Sequence, residues 1–108
     1  IMAIPDLDAF QVIADPSRRR ILHLLTIDSY NINSISKNFD MSRPAVSKHI
    51  KILETAGFVS IKEIGRERFC VLNEEGFIEI RNWINHFDKF WNSKLKNLEK
   101  ALKSKSIY

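Results

Sequence analysis

The sequence predicts a mainly α fold with a small β-hairpin wing, a winged helix-turn-helix in the order α-α-α-α-β-β-α, and three observations predict it. Four stretches with helical apolar spacing fill the chain up to Ala56. After Gly57 the period changes, and two strand-like runs meet at Gly65-Arg66. One long helical pattern then extends from Asn73 to about Lys103. At 108 residues, with 44% apolar and 28% charged side chains, the chain suits one soluble domain spanning 1–108.

The first helix is expected behind Asp6 as a cap, with Leu7, Phe10 and Ile13 on one side. Asp15-Pro16 restarts the chain: Asp15 accepts a backbone N–H and Pro16 presets φ at the first helical position. Ile21, Leu22, Leu24 and Leu25 give this second helix its apolar stripe, ending near Thr26. Residues 27–31 read as polar and irregular. Asn31 or Asn33 caps a short third helix whose Ile32, Ile35 and Phe39 share a side, and Asp40-Met41 is the turn.

Ser42 is a strong N-cap for the fourth helix, which runs through Ala56 and closes at Gly57. Residues 58–64 and 67–72 are strands. Their two-residue connection begins with glycine, as a type II′ hairpin prefers, because its first central position needs positive φ. That turn sets Ile61 opposite Cys70 and Val59 opposite Leu72 on one core-facing side, with Ser60, Lys62 and Val71 looking away. The last helix carries Phe77, Ile80, Ile84, Phe87, Trp91, Leu95, Leu98 and Leu102 at steps of three and four, widened by Trp83 and Phe90. Residues 103–108 are a polar tail.

Charge divides unevenly along the chain. Residues 1–41 hold four basic and five acidic side chains, residues 42–72 six and three, and residues 73–108 seven and five. The centre is the electropositive part, and a polyanion is its natural partner. On the fourth helix Val46, His49, Ile50 and Leu53 form the buried side, with the small Ala45 and Ala56 beside them. The other side presents Ser42, Arg43, Pro44, Ser47, Lys48 and Lys51, short near the N-terminus and rich in donors, which suits a helix laid into the major groove of double-stranded DNA. The hairpin adds Lys62, Arg66 and Arg68, with Arg66 at the tip as a minor-groove probe. Asn33 and Ser34, in the third helix's first turn, offer backbone N–H groups to a phosphate.

The runs Asp15-Pro16-Ser17-Arg18-Arg19-Arg20-Ile21-Leu22, Ser42-Arg43-Pro44-Ala45-Val46-Ser47-Lys48-His49-Ile50-Lys51-Ile52-Leu53, Ala56-Gly57-Phe58-Val59 and Gly65-Arg66 together resemble the ArsR/SmtB family of repressors over roughly residues 8–102. The resemblance implies a homodimeric repressor on an imperfect palindrome, released by a ligand or metal where one is sensed. Family members that sense metals do so through cysteines on the third helix or acidic and histidine residues on the last. Residues 31–37 contain no thiol, and the last helix offers His86 alone. A non-metal member is therefore expected, with no cofactor, regulated by a small molecule, a protein or its own abundance.

Several residues have a plainer reading. His49 falls on the core side and reads as a packing histidine. Cys70, the sole cysteine, excludes an internal disulfide and reads as a small buried hydrophobe in preference to a redox switch. Arg18, Arg19 and Arg20 oppose the dipole of the helix they begin, and are expected to pair with Asp15 or Asp8 and otherwise to face solvent. The last helix's stripe exceeds what one small domain covers, so Trp83, Phe87, Phe90, Trp91, Leu95 and Leu98 are assigned to a dimer interface, joined by Phe10 and Ile13 of the first helix.

No phosphate loop, nucleophile with adjacent base or paired carboxylate in an apolar setting points to an enzyme. With no apolar run long enough for a membrane span and no signal-peptide pattern, no membrane partner and a cytoplasmic protein are expected. The alternative is a winged helix that serves only protein interaction. Arg43, Ser47, Lys48 and Arg66 discriminate, since such a module has no need of a donor-rich outer face there.

Overall fold

The computed structural model describes residues 6–105. The elements are α1 (Ala9–Ile13), α2 (Pro16–Leu25), β1 (Tyr30–Asn31), α3 (Ile32–Lys37), α4 (Arg43–Thr55), β2 (Val59–Ile64), β3 (Glu67–Leu72) and α5 (Ile78–Lys105), with a 3-10 turn at Glu74–Phe77. The chain divides into a winged unit up to Ile78 and a second unit from Glu79 onward, which is the rest of α5. The part of the polar tail beyond Lys105 lies outside the described residues.

Side-chain caps set the helix starts, and most fall where the sequence placed them. Asp15 accepts from the Ser17 and Arg18 N–H groups with Pro16 in the first turn, Asn31 accepts from Ser34, and Ser42 from Ala45. The cap of α1 is Asp8, not Asp6. Its carboxylate accepts from the Gln11 N–H while the Gln11 side chain accepts from the Asp8 N–H, a reciprocal pair that Asp6 has no glutamine to complete.

The hairpin register is as expected, with Val59 opposite Leu72 and Ile61 opposite Cys70. Gly65 has φ +64° while, among the described residues, no non-glycine residue has positive φ, the pattern of a type II′ turn. Three corrections apply to this region. Residues 30–31 are not irregular: they form β1, which pairs antiparallel with β3 through Tyr30–Cys70 and Asn31–Phe69 and gives the order β1-β3-β2. Leu72 is 37% exposed despite its core-side register, because it lies at the rim of an open groove beside Ile13, Leu22 and Phe77. The last helix does not start at Asn73. Asn73 caps the 3-10 turn, and α5 follows it.

That turn is packed against the end of α4. The Gly76 N–H donates to the Gly57 carbonyl at 2.8 Å, and a Cβ at Gly76 would stand 2.7 Å from the Phe58 nitrogen. The approach leaves no room for a side chain, so glycine is required. It brings Phe77 edge-on to Phe58, with ring centroids 4.8 Å apart. Phe58, Ile21, Ile35, Leu53, Val12, Val46, Val59 and Cys70 are the largest fully buried side chains, so the core lies among α1, α2, α3, α4 and the sheet.

The three arginines opening α2 are not simply solvated. A helix as short as α1 leaves its last carbonyls without intrahelical donors. Arg18 Nε donates to the Val12 carbonyl at 2.6 Å, Arg18 Nη2 to Gln11 at 3.3 Å, and Arg19 Nη1 to Ile13 at 2.6 Å. Charges ill placed for the dipole of α2 therefore cap α1, with Arg18 only 8% exposed. The expected ion pair to Asp15 is present at 3.8 Å, Asp8 is occupied with its own cap, and Arg20 lies over the Phe39 ring at 4.7 Å.

Candidate nucleic-acid interface

Helix α4 is two-sided. Val46, Ile50 and Leu53 are buried, as is Ile52, while Arg43, Pro44, Lys48 and Lys51 are exposed and Ser47 is half-buried at the edge. The Ser42 hydroxyl is held by its cap to the Ala45 N–H at 3.3 Å, which fixes the first turn and leaves the Arg43 side chain outward. Lys51 pairs with Glu54 at 3.2 Å, a surface contact that a phosphate can displace.

A polar cleft of about 240 Å³ separates α4 from the wing, and Arg43 and Ser47 line it from one side, Arg66 and Arg68 from the other. Four of the sequence-predicted residues thus converge on one space with three guanidinium groups. Ser42, Pro44, Lys48 and Lys51 lie on the exposed run of α4 outside this cleft, and Lys62 is exposed on β2 opposite Phe69. Such a concave cationic surface, with a donor-rich helix on one side and a hairpin on the other, fits a phosphodiester backbone with base edges within reach of α4.

Asn31, Asn33 and Glu67 also line the cleft and were not assigned to the interface from sequence as side chains. Pairing of β1 with β3 brings Asn31 there, and a two-residue strand leaves no periodic signal. The Ser34 N–H is not available to a phosphate, since it already donates to Asn31 Oδ1 at 2.7 Å. Burial pushes the Cys70 thiol up to about 12, with the Glu54 charge adding to it, so the thiolate is suppressed. Among the described residues no three of His, Cys, Asp and Glu cluster as a metal site, and no helix is long and apolar enough to cross a membrane.

On α5, Trp83, Phe87, Phe90, Trp91, Leu95 and Leu98 are all exposed, Trp91 by 59%. Trp83 stacks edge-on with Phe87 at 4.9 Å and Phe90 with Trp91 at 5.2 Å. Phe10 and Ile13 are half-buried on the winged unit.

Known proteins agree with this architecture. A family model for bacterial regulatory proteins of the arsR family matches residues 15–60, which run from the cap of α2 into β2. The HTH-type transcriptional regulator Rv2034 of Mycobacterium tuberculosis is 31% identical over 96 residues, 89% of this chain and 87% of that protein. The transcriptional repressor SdpR of Bacillus subtilis is 32% identical over 80 residues, 74% of this chain and 89% of its own length. Among solved structures, the ArsR family transcriptional regulator RHA00566 superposes with a TM-score of 0.70 at 34% identity, covering 79% of this chain and 88% of that one. The chain belongs to the ArsR family of bacterial regulatory proteins and is a winged helix-turn-helix transcriptional regulator.

Proposed function

We propose that two copies associate through the apolar stripe of α5, with Phe10 and Ile13 of α1 joining, and bind an imperfect palindrome in duplex DNA as a repressor in the cytoplasm. The action is by binding alone, without catalysis. The observation that carries this reading is the cleft where Arg43 and Ser47 of α4 meet Arg66 and Arg68 of the wing. Arg43 forks onto a guanine, Ser47 reaches a base or phosphate, Lys48 and Lys51 meet phosphates or bases, and Lys62 and Arg68 neutralise the backbone. Arg66, on the exposed hairpin tip, enters the adjacent minor groove. Ser42 and Pro44 shape the turn that approaches the groove. A two-fold pair sets the two recognition helices about 34 Å apart, one turn of DNA.

Selection from a random duplex pool, followed by titration at several salt concentrations, tests the reading. The expected site is two-fold symmetric with a steep salt slope. Joint replacement Arg43→Ala and Lys48→Ala should weaken binding by about 1 to 3 kcal/mol for each base-specific interaction it eliminates. Unchanged affinity in that variant would rule out the proposed approach of α4 to the groove.

A further inference from the structure

Arg18 makes one contact that its role as a cap for α1 does not require: its Nη1 faces His49 Nδ1 at 3.3 Å and the Asp15 carboxylate at 3.8 Å. A guanidinium only donates. His49 Nδ1 must therefore accept, and the ring is neutral with its proton on Nε2. A second proton removes that acceptor and sets an imidazolium 3.3 Å from a guanidinium that does not itself deprotonate. We propose that the Arg18–His49 contact is a proton-sensitive latch on α4, holding the DNA-reading helix in place only while His49 is neutral, so that acidification weakens DNA binding. The inference rests on the DNA-binding reading of α4.

The strain of protonation falls on α4 and not on Arg18. Arg18 is buried and anchored by the Val12 and Gln11 carbonyls, whereas His49 is half-buried on a helix that also carries Ser47 and Lys48 on its outer side. The charged groups acting on the ring are Asp15 at the cap of α2, Arg18 in α2 and Lys48 on its own helix. Burial lowers the His49 value, Asp15 raises it, and Arg18 and Lys48 lower it again, for a net downward shift. Burial works against ionisation of Asp15, but the Arg18 and Ser17 N–H groups and the Arg18 charge hold its carboxyl below the ordinary value, as does His49 once protonated, so it stays charged where histidine titrates.

A proton on α4 also adds attraction to DNA, the opposite effect. Phosphates lie across solvent on the far side of the helix, where the screening length is about 8 Å, while the repelling guanidinium is in contact. Burial of the ring, the largest cause of its downward shift, adds to the guanidinium's repulsion, and together they outweigh Asp15 and the screened phosphates. The same geometry fixes the sign for stability: the unfolded chain takes up a proton near the ordinary value of 6.5 before the folded chain does, so stability is complete above it and declines as pH falls through it.

His49→Asn keeps an acceptor at the Nδ1 position and removes the titration, and His49→Gln is a second variant with a longer reach. Affinity for the selected duplex is measured by fluorescence anisotropy between about pH 8 and pH 5.5 at fixed ionic strength, with melting temperatures of the free protein in parallel. The natural chain should lose affinity progressively toward pH 5.5, by up to about tenfold, the limit set by a group titrating at the ordinary 6.5 and not reached by one held below it, and its melting temperature should fall. His49→Asn should match it near pH 7.5 and stay level below. An affinity that is flat or rises toward acid in the natural chain, or an equal decline in both variants, would overturn the latch. Absence of binding near pH 7.5 would instead remove the DNA reading itself, and the melting temperatures, read without DNA, then decide the latch alone.

Discussion

The winged unit and the helix beyond it are built of similar side chains and treat them in opposite ways. In the winged unit Phe58, Ile21, Leu53 and Val46 are sealed from water, and even the charged Arg18 is enclosed with each side-chain nitrogen aimed at an acceptor. On α5 the aromatic and aliphatic stripe from Trp83 to Leu102 is open to solvent at every large position. Ile27, Ile64, Leu72 and Ile78 aside, the winged unit keeps its large apolar side chains at least half-buried and draws stability from its own core. A helix of 28 residues with an open stripe lacks that support, since helices in proteins draw most of their stability from packing of such a face. In the proposed reading the first unit is the reading head and the second joins another copy.

The contrast is sharpened by making one truncation in each region. Phe58→Ala removes a fully buried ring that meets Phe77 and leaves a cavity beside the Gly57–Gly76 contact. It should lower unfolding free energy by about 3 to 5 kcal/mol in denaturant titration, at any protein concentration. Trp91→Ala should do something different: little change in the winged unit, but a dimer dissociation constant raised about thirtyfold, roughly 2 kcal/mol, in sedimentation equilibrium. If Trp91→Ala instead leaves association untouched, the open stripe is not the joining surface.

The smallest effect expected is at Cys70. Its thiol is buried in β3 with its value pushed up to about 12, so it should resist alkylation near pH 8 in the native protein and react fully once unfolded. Rapid native reaction would mean that the sheet opens at equilibrium and that the winged unit is not sealed.

What the sequence displayed and what it hid follow the same division between local and distant causes. The caps Asp15 and Ser42, the change of period after Gly57 and the Gly65-Arg66 turn are decided by neighbours a few residues apart and are legible in order, while the third helix's cap was narrowed only to Asn31 or Asn33. The hairpin register follows from the turn alone. Strand β1 did not show, because two residues carry no alternation and its pairing partner is far along the chain. Nor did the enclosure of Arg18, since nothing local says that the carbonyls ending α1 need a donor there. The 3-10 turn before α5 was hidden too: Gly76 reads as a weak helical residue until the backbone of Phe58 is seen against it. Of the residues lining the candidate cleft, Arg43, Ser47, Arg66 and Arg68 were singled out from helix and hairpin periodicity, whereas Asn31 and Glu67 enter only through the fold.

The central claim is that the reading head works in pairs joined through α5. Sedimentation analysis of the natural chain with the duplex selected from the random pool tests it most directly. Two chains per duplex, on a site whose half-sites lie about one helical turn, ~34 Å, apart, is the predicted result. A single chain saturating the duplex, or a site without two-fold symmetry, would contradict it.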